Sequence, residues 1–274
     1  MTINDQIEHL HDAIRRYCMD RHFYWSNKYR ELDSARKNLT NNGYTDEALR
    51  TFPRYNLLNA ILTETERYRP DEFKTFDEAK RFFGLVASEA ENIFTKPPNG
   101  SIEQGVMNEE RELLHKFINE ITDKDLSLIE PLFYRKVLSS NESEKVREKI
   151  YQRWEVSKSY WYPLSQKKRE DIEAFQDSYF ENDIGAEKLK ELLHNRGVKT
   201  VWEIREDGMD YEYELSIFEP YYNGAEGFWC DDKFDWIIYA SHESSITVGG
   251  WLLPEIQEYW TDWQKYIWTS PFFD

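Results

Sequence analysis

The amino-acid sequence predicts an α+β protein, with a helical N-terminal region followed by a small antiparallel sheet flanked by helices. Three observations predict it. As far as about residue 182, apolar residues recur mostly at spacings of three and four, the period of an amphipathic helix. After about residue 198 the period becomes two, as in strands with one face buried. Asp207-Gly208 then lies between two such alternating runs, where a hairpin turn is needed. The expected division is a helical domain over 1–164 and an α+β domain over 165–274, with no sheet strand before residue 160.

Ile7, Leu10, Ile14, Tyr17, Cys18, Trp25, Tyr29 and Leu32 mark one or two helices from about residue 4 to 37. Thr75 and Glu78 have the spacing of a capping box, and Phe76, Ala79, Phe83, Val86, Ala90 and Ile93 follow until KPPNG ends the pattern. Asn108 is the expected cap of a helix carrying Leu114, Phe117, Ile118 and Ile121. Val146, Ile150 and Trp154 predict another, and Ile172, Phe175 and Tyr179 one more. Leu189, Leu192 and Leu193 mark a short helix that Gly197 can end. VKTVWEIRE and DYEYELSIFE form one expected hairpin, DWIIYAS and SITVGG a second. Pro254 can open a last helix with Ile256, Tyr259, Trp260, Trp263 and Ile267 on one stripe. A sheet with one wet face and helices on the other is the expected packing.

Composition narrows the function classes. The 274 residues, 40% hydrophobic and 32% charged, belong to a folded globular chain and not a disordered one. No apolar run is long enough to span a membrane, and the polar start MTINDQIEHLHDAIRR has no apolar signal-peptide centre, so the expected compartment is the cytoplasm. Cys18 and Cys230, the only cysteines, are expected to be free thiols. A formal charge of −17 argues against a nucleic-acid partner, because binding a phosphate backbone needs clustered Lys and Arg; it suits a basic protein, or else only keeps the surface soluble.

Candidate sites are few. Tyr239 to Gly250 sets His242 beside Glu243 and several hydroxyls, the side chains of an acid/base or nucleophilic site. The competing reading is a hairpin turn whose side chains bond their own backbone. A hydrolase would pair His242 with Glu243 or Asp235 and activate a hydroxyl or the Cys230 thiol. Residues adjacent on a strand face opposite ways, so His242 and Glu243 meet only if the turn breaks the alternation. Asp231, Asp232 and Asp235 could approach a hard cation, but they lack the ligand number and spacing of a calcium loop, and no metal is expected. His9 and His11 lie on a helix, where residues two apart diverge. No nucleotide or zinc motif occurs, so no cofactor is expected. The expected partner surface is Glu226, Asp231, Asp232 and Asp235, flanked by Phe228 and Trp229 as aromatic anchors.

Tyr134-Arg135-Lys136-Val137-Leu138, with Trp161-Tyr162-Pro163-Leu164 further on, resembles a stretch of uncharacterised bacterial proteins, over about residues 109–164. The likeness implies a bacterial origin and no activity. DWIIYASHESSITVGG and the Trp-rich segment after it resemble small bacterial domains of unknown function, some of immunity type that neutralise a toxin, over about 198–268. The expected function is therefore a non-enzymatic, cytoplasmic, immunity- or defence-type protein that holds a protein partner; the alternative is the hydrolase with His242.

Overall fold

The computed structural model describes residues 2–35, 44–156, 160–165 and 168–269. The end of the first expected helix, at residues 36 and 37, and Ser157 to Ser159 of the family-like stretch lie outside them. The chain forms two compact units, Met1–Leu132 and Phe133–Asp274. Residues 133–164, expected within the helical domain, belong to the second unit.

The first unit is helical. It contains α1 (Ile3–Ala35), α2 (Asp46–Leu49), α3 (Phe52–Thr65), α4 (Phe76–Glu89), α5 (Ile102–Glu120) and α6 (Asp123–Leu126). α1 is one continuous helix, and Ile7, Leu10, Ile14 and Cys18 enter one core with Leu57, Leu58, Ile61, Phe83, Leu114 and Ile118. Thr75 caps α4 by accepting the Glu78 amide at 3.1 Å, while the Glu78 carboxylate accepts the amide of Lys74 instead of closing the box. The expected cap at Asn108 gives way to Ser101, whose hydroxyl accepts the Gln104 amide. Val106 and Met107 are buried, so the apolar face runs back through a full turn before Asn108.

The second unit is α+β. Its elements are β1 (Arg135–Val137), α7 (Ser140–Trp154), β2 (Ile172–Gln176), α8 (Asp177–Asp183), α9 (Gly185–Asn195), β3 (Thr200–Arg205), β4 (Tyr211–Glu214), β5 (Gly227–Cys230), β6 (Trp236–Ser241), β7 (Ser245–Gly250) and α10 (Leu252–Tyr259). They form a seven-stranded antiparallel sheet in the order β1-β4-β3-β5-β6-β7-β2.

Two strands depart from the expectation. β1 precedes residue 160, so the sheet is not confined to the last third; a strand of three residues is too short to show a period. Ile172–Gln176 is a strand and not a helix. Four of its five residues are buried, which hides the alternation and leaves Ile172 and Phe175 at a helix-like spacing of three. The sheet also lacks the expected wet face. Trp236, Ile238 and Ala240 of β6 join a core with residues of α8, α9 and α10, while Ile237 and Tyr239 join another with Ile150 and Trp154 of α7.

Both expected hairpins form. The β3–β4 connection is longer than a two-residue turn, with Gly208 at φ +103° and Asp210 accepting the Arg205 amide at 2.8 Å. The last helix stops at Tyr259, and the stripe continues through a 3-10 turn, Trp263–Tyr266, to Ile267, which bridges to Phe175 of β2. Among the described residues, no helix is long and apolar enough to cross a membrane.

Candidate functional site

The candidate residues fall at opposite ends of β5 and β6. Gly227 pairs with Ala240, so Glu226, one residue before β5, comes beside the end of β6. Ser241 pairs with Ser245, which leaves His242, Glu243 and Ser244 as the β6–β7 turn. Ser244 takes φ +52°, the Glu243 amide donates to the Ser241 hydroxyl at 3.2 Å, and the hydroxyls of Ser241 and Ser245 lie 2.7 Å apart. This is a turn in which polar side chains serve their own backbone.

The turn breaks the alternation enough to bring His242 and Glu243 together, with Nε2 at 3.3 Å from Glu243 Oε1. The other nitrogen, Nδ1, contacts Glu226 Oε1, and the backbone amide of His242 donates to the same oxygen at 3.1 Å. Glu226 is 1% exposed and forms the floor beneath a ring whose side chain is 48% exposed. Sequence reasoning placed Glu226 on a partner-facing edge and missed its pairing with His242. The signal that finds it is the strand register, which adjacency in sequence does not display.

Electrostatics follow from these contacts. The bond to Glu226, with further attraction from Glu226, Glu243 and Glu206, holds the His242 imidazolium above the usual histidine range against a smaller desolvation effect. Glu226 Oε2 and the Tyr239 hydroxyl are buried without a hydrogen bond among the described residues. Burial and the Glu226 carboxylate push the Tyr239 phenol far up.

A general base needs an open nitrogen facing a proton donor, and here both nitrogens face carboxylates. Cys230 does not join them. It lies four residues along β5 from Glu226, about 13 Å at the usual strand rise. It is wholly buried, and burial pushes its thiol well above the ordinary value. Asp235, the other expected acid partner, precedes β6 at the far end of that strand and accepts the Trp251 indole N–H at 2.9 Å.

The expected partner edge is divided by the fold. Phe228 and Trp229 are 2% and 1% exposed and serve as core, so they are not surface anchors. The reason is that β5 is covered on both faces: Phe228 stacks on Tyr239 at 4.6 Å, while Trp229 enters the opposite core. Asp231 is buried too, accepts the Lys233 amide at 3.1 Å, and has its carboxyl raised by desolvation. Asp232 and Asp235 remain exposed. Asp231 and Asp232 line a cleft of about 330 Å³ with Trp202, Glu212, Lys199 and Lys233, so its charge is mixed.

His9 and His11 diverge on α1 as expected, toward the carbonyls of Leu126 at 2.7 Å and Thr65 at 3.2 Å. Among the described residues, no group of three His, Cys, Asp or Glu is placed to hold a metal ion. No family model, curated protein or solved structure matches this chain.

Proposed function

We propose that this protein is a non-enzymatic binding protein, of immunity or defence type, that holds a basic protein partner on an acidic surface. The observation that carries the reading is the formal charge of −17 together with carboxylates such as Asp232 and Asp235 left exposed at the β5–β6 turn. Charge of one sign raises the rate of encounter with an oppositely charged partner and discriminates against acidic competitors. Trp202, half-buried beside Asp232 in the cleft, is the aromatic group able to contribute contact area there in place of Phe228 and Trp229. The engagement of both His242 nitrogens by carboxylates supports the binding reading over the hydrolase alternative.

The test is recovery of a partner from the host, followed by titration of that purified partner at low and high salt. The reading expects binding that weakens as salt rises and that falls on reversing Asp232 and Asp235 to Lys. Binding indifferent to both would leave the charge as a contribution to solubility alone.

A further inference from the structure

Within the helical unit, a groove of about 450 Å³ runs between the end of α3 and α4. Tyr68 and Phe82 form an aromatic floor, their rings 4.4 Å apart and inclined at 63°. Leu85, on the next turn of α4, is 57% exposed. The rim is acidic, with Glu64 at the end of α3 and Glu89 and Glu91 at the end of α4, and Arg111 donates to the carbonyl of the lining residue Ala90 at 2.9 Å. The cleft beside Trp202 contains two lysines.

We propose that this groove docks a cationic and apolar segment of a protein partner, with Arg or Lys side chains on Glu64, Glu89 and Glu91 and an apolar side chain on Tyr68, Phe82 and Leu85. The inference rests on the partner-binding reading above and gives it a place on the helical unit. Charge selects the occupant. A second copy of the chain would bring another −17 against a rim already negative, whereas a basic segment complements it.

Two of the carboxylates have present partners. Glu64 pairs with Arg67 three residues on at 2.9 Å, both half-buried, and Glu91 pairs with Lys96 at 3.4 Å across exposed surface. An exposed pair such as Glu91–Lys96 contributes little and can give way to an incoming guanidinium. Glu89 is exposed and makes no ion pair among the described residues, so it is the first contact available to an incoming cation. Leu85 is an unpaired apolar side chain at the same place, which excludes a purely electrostatic role for the groove.

The test uses the full chain and a short capped peptide alternating arginine and leucine, with a glutamate-leucine peptide as control. Isothermal titration gives affinity, and amide and aromatic NMR shifts locate the contact. The expected result is binding of the arginine peptide that weakens with salt, shifts at Tyr68, Phe82 and Leu85, and roughly tenfold weaker binding to a Leu85→Glu, Glu89→Lys variant. Both substitutions are at exposed helix positions, so folding of the variant is checked by its unchanged circular dichroism. No binding, equal binding of the glutamate peptide, or unchanged affinity of the groove variant would overturn the inference. If affinity instead falls only when Asp232 and Asp235 are reversed, the groove is wrong while the partner-binding reading stands. If the host partner ignores salt and all charge reversals, that reading fails independently of the peptide.

Discussion

The backbone amide of His242 donates to Oε1 of Glu226 at 3.1 Å, and the imidazole Nδ1 rests on the same oxygen. A buried carboxylate and a half-exposed ring thereby form a two-point contact that ties the β6–β7 turn to the start of β5. Because this contact favours the charged ring, the pKa of His242 is higher in the folded chain than in the unfolded one. Such a group contributes stability that is fully present below the unfolded value of about 6.5 and is lost as pH rises through the raised folded value. Denaturant midpoints of the native chain should therefore decline from pH 6 upward across that window. A His242→Gln chain should lack that component, and identical pH profiles for the two would remove the ring as its source.

Trp229→Ala should act on stability. The indole fills the core shared by the sheet and α8 to α10, and truncating a buried Trp costs about 3–5 kcal/mol through lost transfer energy and the cavity left behind. Asp232→Lys, at an exposed position, should change stability by no more than about 0.5 kcal/mol. Urea denaturation of the two variants checks the contrast, and a stable Trp229→Ala chain would contradict the burial.

Glu110 is wholly buried on α5 and accepts two hydrogen bonds from Arg21 at 2.8 and 2.7 Å, one from Arg54 at 2.7 Å and one from the Trp25 indole at 3.1 Å. Removing one side of a buried pair strands its partners, at a cost of about 3–5 kcal/mol. Glu110→Ala should lower the denaturation midpoint of the helical unit accordingly. Glu109→Ala, whose carboxylate is mostly exposed, should cost far less.

Gly250 occupies φ +72°, and a Cβ there would lie 2.0 Å from the Asp235 carbonyl oxygen. Backbone cannot yield as a flexible side chain does. Gly250→Ala should therefore cost more than the roughly 1–2 kcal/mol of left-handed backbone alone. Thermal denaturation beside a Gly105→Ala control, where a Cβ meets nothing within 4 Å, gives the comparison.

Much of this fold is legible in the sequence wherever one face is buried. The α1 stripe displays a period because its other face is wet, and β4 does so because Tyr211 and Tyr213 turn to the core while Glu212 and Glu214 turn away from it. The period fails where both faces are covered, as in β2, or where the element is as short as β1. Site residues were harder to place. Glu226, Phe228 and Trp229 form an acidic and aromatic run in sequence, and only the register of β5 against β6 reveals that all three point into the fold. Long-range pairing decided their roles, and no local pattern encodes it. The groove of α3 and α4 has no local signature for the same reason, since Tyr68 and Phe82 meet only through tertiary packing.

Binding of a basic protein by the acidic surface is tested by the association rate of the purified host partner at two ionic strengths. Exposed charges act mainly on encounter and are screened beyond about 8 Å at physiological salt. The expected result is a basic partner whose association slows as salt rises, and slows further when Asp232 and Asp235 are both changed to Lys. An acidic or neutral partner that associates at the same rate at both ionic strengths, with native and reversed chains alike, would contradict it.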